Sequence, residues 1–303
     1  MGRARDGRFT EEQIHAMFGH EAAENERPER LREYYFMSQA YERVTADLPL
    51  RILVGQKGIG KSALFTVAQG DDTKRDSVSI AIRPDDVAEV QNDGSDFNKK
   101  IAEWKQGLFR IIERIILERA GASLSNTSTA LAKSGKFLSL LKASTKPYLS
   151  SKVDLDPVSR AFADHFLQTN RLTVYLDDLD RGWQGAKADV NRLSALLSAL
   201  RDLSSANDGL RFRVALRSDV YYAVRTSDES TDKLEGAVVW HSWDNHQILA
   251  LLVKRLLTYF GEAPDESALL KTKQSRLAEH LNRVMVPTFR GQGNGRTCPF
   301  TGY

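Results

Sequence analysis

The sequence has a single cysteine, Cys298. One thiol excludes an intrachain disulfide and a cysteine-cluster zinc site, so a reducing, cytoplasmic setting is expected. The histidines His15, His20, His165, His241, His246 and His280 show no metal-ligand spacing, and no zinc is expected. Nowhere do about 18 apolar residues run without a charge, so no membrane-spanning helix is expected either. The opening stretch MGRARDGRFTEE has basic residues with no apolar segment behind them, which is not the form of a secretory signal. Excess charge is scarce as well. The 43 Lys and Arg against 40 Asp and Glu leave a net +3, too little to argue for nucleic acid or a membrane surface. What is present, 41% hydrophobic and 27% charged residues over 303, can bury a sizeable core. The length suits one main domain with a smaller accessory part.

Residues 1–45 read as a helical lead-in. Thr10 with Gln13 fits a capping box that would open a helix running to about Ala23. A second helix is expected from Leu31 to Val44. Pro49–Val54 reads as a buried strand ended by Gly55, and Ser62–Gln69 as the helix after it. Val78, Ile80 and Ile82 alternate with small or polar residues as in a second strand, closed by Pro84. Ser95 is placed to cap a long helix carrying Phe97, Ile101, Trp104, Leu108, Ile111, Ile112, Ile115 and Ile116 at three- and four-residue steps.

Residues 121–153 are rich in Ser, Thr and Ala, and carry Lys133, Lys136, Lys142, Lys146 and Lys152 with no acid. They read as an insertion, followed by a helix over Pro157–Gln168. Leu172–Leu176 is a third strand, Leu193–Leu203 a helical stripe, Phe212–Leu216 a fourth strand and Val238–Trp240 a short fifth. Helices are expected from Gln247 to Gly261 and from Glu266 to Val284. The expected domains are therefore a core at 46–245 with its insertion, a small helical lid at 246–288 and an irregular tail at 289–303. That tail reads as a domain cut short or a disordered end. Strands alternating with helices define an α/β fold with a mostly parallel sheet.

Gly55-Gln56-Lys57-Gly58-Ile59-Gly60-Lys61-Ser62 matches G-x-x-x-x-G-K-[ST] at every fixed position, between an apolar strand and a helix. Glycines let a tight loop turn its backbone N–H groups onto phosphate oxygens, and the following helix, through Ala63, points its positive end at the same anion. Lys61 would place a cation on the β- and γ-phosphates, and Ser62 a hydroxyl on Mg²⁺. The bland alternative is a glycine-rich turn with an exposed lysine. Guanine recognition would want Asn-Lys-x-Asp, but Asn98-Lys99 is followed by Lys100-Ile101. ATP is therefore the expected nucleotide, with Mg²⁺ as its metal.

The third strand ends in Asp177-Asp178-Leu179-Asp180-Arg181. A buried strand delivers an acid to the carboxyl edge of the sheet, where ligands bind in open α/β folds. Asp177 is placed to meet Mg²⁺ through its water shell, and Asp178 to orient or deprotonate an attacking water. Asp180 would help hold the metal shell or pair with Arg181. The alternative for the whole cluster is a solvated turn capping the next helix.

Asp177–Arg181 resembles the DDLDR signature of prokaryotic KAP-type, STAND and origin-recognition-like ATPases. Gly55–Ser62 is similar to the phosphate loop of a bacterial branch of that group. Phe18-Gly19, Ala23-Glu24, Leu31–Phe36 and Tyr41 are similar to its helical lead-in, and Ala215–Tyr221 to its fourth strand. Trp240 or Trp243 with Leu249–Arg255 is similar to the start of its lid. The resemblance covers roughly residues 15–260. It implies a three-layer αβα sheet of the ASCE type, with the fourth strand between the strands that carry the loop and the acids. Arg217 would then lie near the γ-phosphate as a sensor. It also implies an ATPase that switches conformation or drives assembly, in phage defence or genome maintenance. The expected partners are a homo-oligomer or an effector protein.

Weaker candidates have plainer readings beside them. Arg181 would reach a neighbouring subunit's nucleotide, or make an intrachain ion pair. Lys254 and Arg255 read as a solvated helix face rather than phosphate ligands. Trp183 reads as packing rather than adenine stacking. The lysines of 133–152 would track a DNA backbone or lie on a solvated loop. DNA is therefore a partner in the alternative where the chain is a nucleotide-dependent DNA- or partner-binding module with slow or incidental hydrolysis.

Overall fold

The computed structural model describes residues 9–19, 26–75, 77–88, 90, 96–125, 171–227, 229–284, 288–290 and 297–299. The described residues belong to two compact units. One takes its residues from Met1–Gln39, Ser62–Val67 and Ser242–Tyr303, the other from Ala40–Lys61 and Ala68–His241.

In chain order, helices α1 (Glu11–Phe18), α2 (Pro28–Tyr34) and α3 (Gln39–Thr45) lead into strand β1 (Leu50–Gly55) and helix α4 (Lys61–Lys74). Strand β2 (Val78–Ile82), a 3₁₀ turn at Pro84–Val87 and helix α5 (Phe97–Ser125) follow. Then come β3 (Leu172–Leu176), α6 (Lys187–Ala206), β4 (Leu210–Arg217), α7 (Ser218–Ser227), a 3₁₀ segment at Glu229–Ala237 and β5 (Val238–Trp240). Helices α8 (Asn245–Tyr259), α9 (Glu266–Lys271) and α10 (Gln274–Leu281) precede a short hairpin, β6 (Thr288–Arg290) with β7 (Thr297–Pro299).

The five main strands form one parallel sheet in the order β2-β3-β4-β1-β5. Side chains alternate across it with the two-residue period of a strand. Ile52, Val54, Val174, Leu176, Phe212, Val214 and Leu216 bury into a core with Trp104, Leu108 and Ile112 of α5 and Leu193, Leu196 and Leu200 of α6. Leu53, Tyr175, Arg213, Ala215 and Val239 are buried as well, at the alternate positions. A sheet buried on both faces reads as near-continuous apolar runs, which is why β1, β3 and β4 stand out in the sequence. With helices on both sides, the core is a three-layer α/β fold.

The second face carries a buried polar network. The Arg213 guanidinium donates to the carbonyls of Leu48 and Phe212 at 2.9 Å and of Ala46 at 2.8 Å. Burial pulls its pKa down to about 10, against the pull of Tyr175. The Tyr175 hydroxyl donates to Asp72 of α4 at 2.8 Å, and the Tyr41 hydroxyl to Asp71 at 2.5 Å. Burial raises the Asp72 carboxyl above its ordinary value, opposed first by that Tyr175 bond. These bonds fix the end of α4, and the segment before β1, against the sheet.

Several local expectations change. The first helix stops at Phe18 rather than near Ala23. Gly19 takes φ +81°, and Arg30 accepts the duty of capping by donating to the carbonyls of His15 and Ala16. The Leu31–Val44 helix is two helices. Tyr35 turns extended, its carbonyl takes the Lys254 ammonium, and the Met37 N–H donates to Glu266 at 2.8 Å. The Glu266–Val284 helix also breaks, at Thr272, whose hydroxyl bonds back to the Ala268 carbonyl at 2.7 Å.

Helix α5 continues through residues 121–125 of the expected insertion, and the tail contains the antiparallel β6–β7 pair where no element was expected. The expected cap Ser95, the lysines of 133–152 and the Pro157–Gln168 helix lie outside the described residues. Lys254 and Arg255 do not form a solvated face. Lys254 is buried and bonds Tyr35 and Glu266, while Arg255 donates to the Phe18 carbonyl. Around them Met17, Phe36, Val253, Leu256, Leu269 and Leu277 form the core of their own unit. No described helix is long and apolar enough to cross a membrane.

Candidate functional site

The carboxyl ends of β1, β3 and β4 bring the sequence candidates together. Gly55 closes β1 in register with Arg217, the last residue of β4 rather than the first beyond it. Gln56, Lys57 and Gly58 are exposed, while Ile59, Gly60 and Lys61 are half-buried. Gly58 and Gly60 adopt φ +80° and +99°, a region that costs a residue with a Cβ and suits glycine. Gly60 is the N-cap of α4, so the free N–H groups of the first turn, Lys61 to Ala63, follow directly on the loop.

Gly55 answers a different need. A Cβ there would lie 2.8 Å from the His241 carbonyl oxygen and 2.9 Å from Ile59 Cγ2. The loop can start here only because no side chain intervenes. His241 is the first residue after β5, and its N–H donates to the Val54 carbonyl at 2.8 Å. Its imidazole lies beside Gly60, with Nε2 3.9 Å from where a Cβ would be. Burial, aided by repulsion from Lys61, holds the imidazole pKa down at about 4, against a backbone hydrogen bond with Ile59. The ring is therefore neutral at pH 7. The spacing of the histidines carries no sign of this place for His241. The usable signal was its place, one residue past a strand at the edge where the loop begins.

The Lys61 ammonium donates to the Gly55 and Gln56 carbonyls, both at 2.9 Å, so it is folded over the loop. Burial lowers its pKa, and the acids that oppose this are Asp180 first and Asp177 second. Lys61 therefore sits in the field of the acidic turn. A carboxylate and an ammonium beside a glycine loop that runs into a helix N-terminus fit a polyphosphate and its divalent cation. The loop amides and Lys61 would hold the phosphates, and Asp177 would supply an oxygen ligand of the kind Mg²⁺ takes.

After β3 the chain bends sharply. Asp178 is the single described non-glycine residue with positive φ, at 58°. Its N–H donates to Asp177 Oδ1 at 2.9 Å, and its carbonyl accepts the Arg181 N–H at 3.0 Å. The Asp178 carboxylate pairs with Arg181 at 2.8 Å, and its side chain is 46% exposed. Of the two readings of Arg181, the structure contains the intrachain pair, but with Asp178 rather than Asp180. Asp180 instead turns inward, 7% exposed, and accepts the Arg217 N–H at 3.2 Å. Burial raises its pKa, with the Arg217 hydrogen bond opposing. The Arg217 guanidinium is paired with Asp219 at 2.6 and 3.1 Å. Trp183 is half-buried against the main core, as expected of a packing residue.

A parallel sheet of this order, flanked by helices and carrying a glycine loop between β1 and α4, is the P-loop NTPase fold. No protein-family model matches the sequence, and no curated protein matches it. Two solved structures are similar in outline. One is AMPPCP-bound DnaA from Aquifex aeolicus, at TM-score 0.36 and 14% identity over 82% of this chain. The other is a DNA replication initiation factor, at TM-score 0.34 and 13% identity over 81% of this chain. The chain spans 62% and 57% of their respective lengths.

Proposed function

We propose that this chain is a Mg²⁺-dependent ATPase that uses hydrolysis to switch conformation or to drive assembly. The observation that carries the reading is a convergence at one sheet edge. The Gly55–Lys61 loop follows β1, the acids follow β3, and β4 between them ends at Arg217, in register with Gly55. In this reading the loop amides and Lys61 bind the phosphates, and Ser62 and Asp177 hold the metal. When bound, Mg²⁺ neutralises charge on the phosphate oxygens. Asp178 orients and deprotonates the attacking water, which requires its carboxylate to leave Arg181. Arg217 meets the developing charge once it leaves Asp219.

Replacing Lys61 with Ala tests the reading by titration with a fluorescent ATP analogue. Removing one charge-assisted contact to phosphate is expected to weaken binding at least tenfold, since such bonds contribute about 1.5–3 kcal/mol. Unchanged affinity would refute it.

One observation favours a second reading, a nucleotide-dependent binding module with slow turnover. Asp178 and Arg217 are both engaged in ion pairs, with Arg181 and Asp219. A partner that draws Arg181 away would then stimulate hydrolysis. Steady-state turnover of Arg181→Ala separates the two, since faster turnover than in the unaltered chain supports the restrained form.

A further inference from the structure

We propose that Asp180 is a positioning residue of this site: its carboxylate clamps the end of β4, and Arg217 with it, to the turn that carries Asp177 and Asp178. The inference rests on the ATPase reading above and adds a residue to it.

The sheet itself poses the need. The β3–β4 ladder ends at Leu176 opposite Val214. Strand β4 continues for Ala215, Leu216 and Arg217, which pair with Leu53, Val54 and Gly55 of β1 on the other side. Beyond Val214, then, β4 has lost its strand neighbour on the β3 side. Asp180 fills that place. Its carboxylate accepts the Arg217 N–H at 3.2 Å, as a strand carbonyl would have done. A buried backbone N–H without an acceptor is costly, so this bond decides whether Arg217 holds its strand geometry.

The turn is shaped to deliver that carboxylate. Positive φ at Asp178 and at Gly182 reverses the chain, and the Trp183 N–H donates to the Asp180 carbonyl at 3.1 Å. Leu179 is buried in the main core, which anchors the turn from below. Asp178 consequently faces outward while Asp180 faces the β4 end. Two acids two residues apart thus have separate work: Asp178 is accessible to a water, and Asp180 is buried against a backbone amide. Because Arg217 is in register with Gly55, one carboxylate holds the acidic turn, the candidate sensor and the start of the phosphate loop in a fixed relation.

The test compares Asp180→Ala, Asp180→Asn and Arg217→Ala, alone and as Asp180→Ala with Arg217→Ala. Asparagine keeps an oxygen acceptor for the Arg217 N–H and removes the charge. Hydrogen exchange of the Arg217 amide, without nucleotide, is expected to quicken about tenfold in Asp180→Ala and less than about threefold in Asp180→Asn. For ATP hydrolysis, Asp180→Ala is expected to lower kcat about tenfold with KM nearly unchanged, and Asp180→Asn to recover most of it. The double variant is expected to be no slower than Arg217→Ala, because both remove one arrangement. Unchanged exchange in Asp180→Ala, with normal turnover in the unaltered chain, would overturn the clamp alone. An Asp180→Asn kcat as low as that of Asp180→Ala would overturn it too, by making charge the requirement. No turnover by the unaltered chain would remove the ATPase reading, and this inference with it.

Discussion

Lowering the pH from 7 to 4 is expected to unsettle the glycine loop after β1 through His241. The imidazole is packed behind the loop, and burial holds its pKa at about 4 against an ordinary 6.5, with the Lys61 charge acting in the same direction. An unfolded chain takes up this proton near pH 6.5, and the folded chain only near pH 4. Between those values the unfolded state binds more protons, so stability falls as the pH falls and levels off below about 4. A gap of about two and a half pH units corresponds to about 3 kcal/mol at 1.36 kcal/mol for each. Urea unfolding of the unaltered chain and of His241→Gln at pH 7, 5.5 and 4 measures it. Glutamine cannot take the proton, while the carboxylates, Asp72 and Asp180 among them, titrate in both proteins and cancel in the difference. The unaltered chain is expected to lose about 3 kcal/mol more than the variant between pH 7 and 4. Parallel profiles would refute the claim that this histidine is kept neutral by its place in the fold.

Gly55→Ala puts a methyl 2.8 Å from the His241 carbonyl and 2.9 Å from Ile59 Cγ2. A loss of about 1–3 kcal/mol in urea unfolding is expected, together with weaker nucleotide binding; a neutral effect would mean that β1 and His241 part easily. Arg213→Met keeps the volume but strips the buried Phe212 carbonyl and the part-buried carbonyls of Ala46 and Leu48 of their donor, so about 3 kcal/mol should be lost in the same assay. Asp178→Asn is expected to keep nucleotide affinity and slow hydrolysis at least tenfold, read by titration and phosphate release, because Asn fits the place but is a poor base. Loss of affinity instead would assign Asp178 to metal binding.

The sequence by itself determined the sheet and the glycine loop after β1. Strands buried on both faces need near-continuous apolar runs, so Leu50–Val54, Leu172–Leu176 and Phe212–Leu216 could be read directly, while β2 followed from the alternation of Val78, Ile80 and Ile82 and β5 from a short run. The place and shape of the glycine loop were equally legible, because a tight turn with positive φ at Gly58 and Gly60 before the helix that starts at Lys61 requires glycine at those places. The long helix α5 showed through its apolar period alone.

Tertiary structure decided what depends on partners distant in the chain. Local propensity favours continuing the helix through Tyr35, but the Tyr35 carbonyl is taken by Lys254, 219 residues away, and the chain turns extended there. That contact makes Lys254, an apparent surface cation, a buried anchor, and Arg255 beside it is held by the Phe18 carbonyl. Among the acids after β3, spacing could not say which would face outward. The left-handed turn at Asp178 and the open end of the β3–β4 ladder sent Asp180 to the Arg217 amide and left Arg181 to Asp178. His241 acquired its role in the same way, since only the parallel register of β5 with β1 sets its carbonyl against Gly55. Composition and period are properties of a segment, whereas a side chain's duty is fixed by whichever unsatisfied group the fold brings beside it.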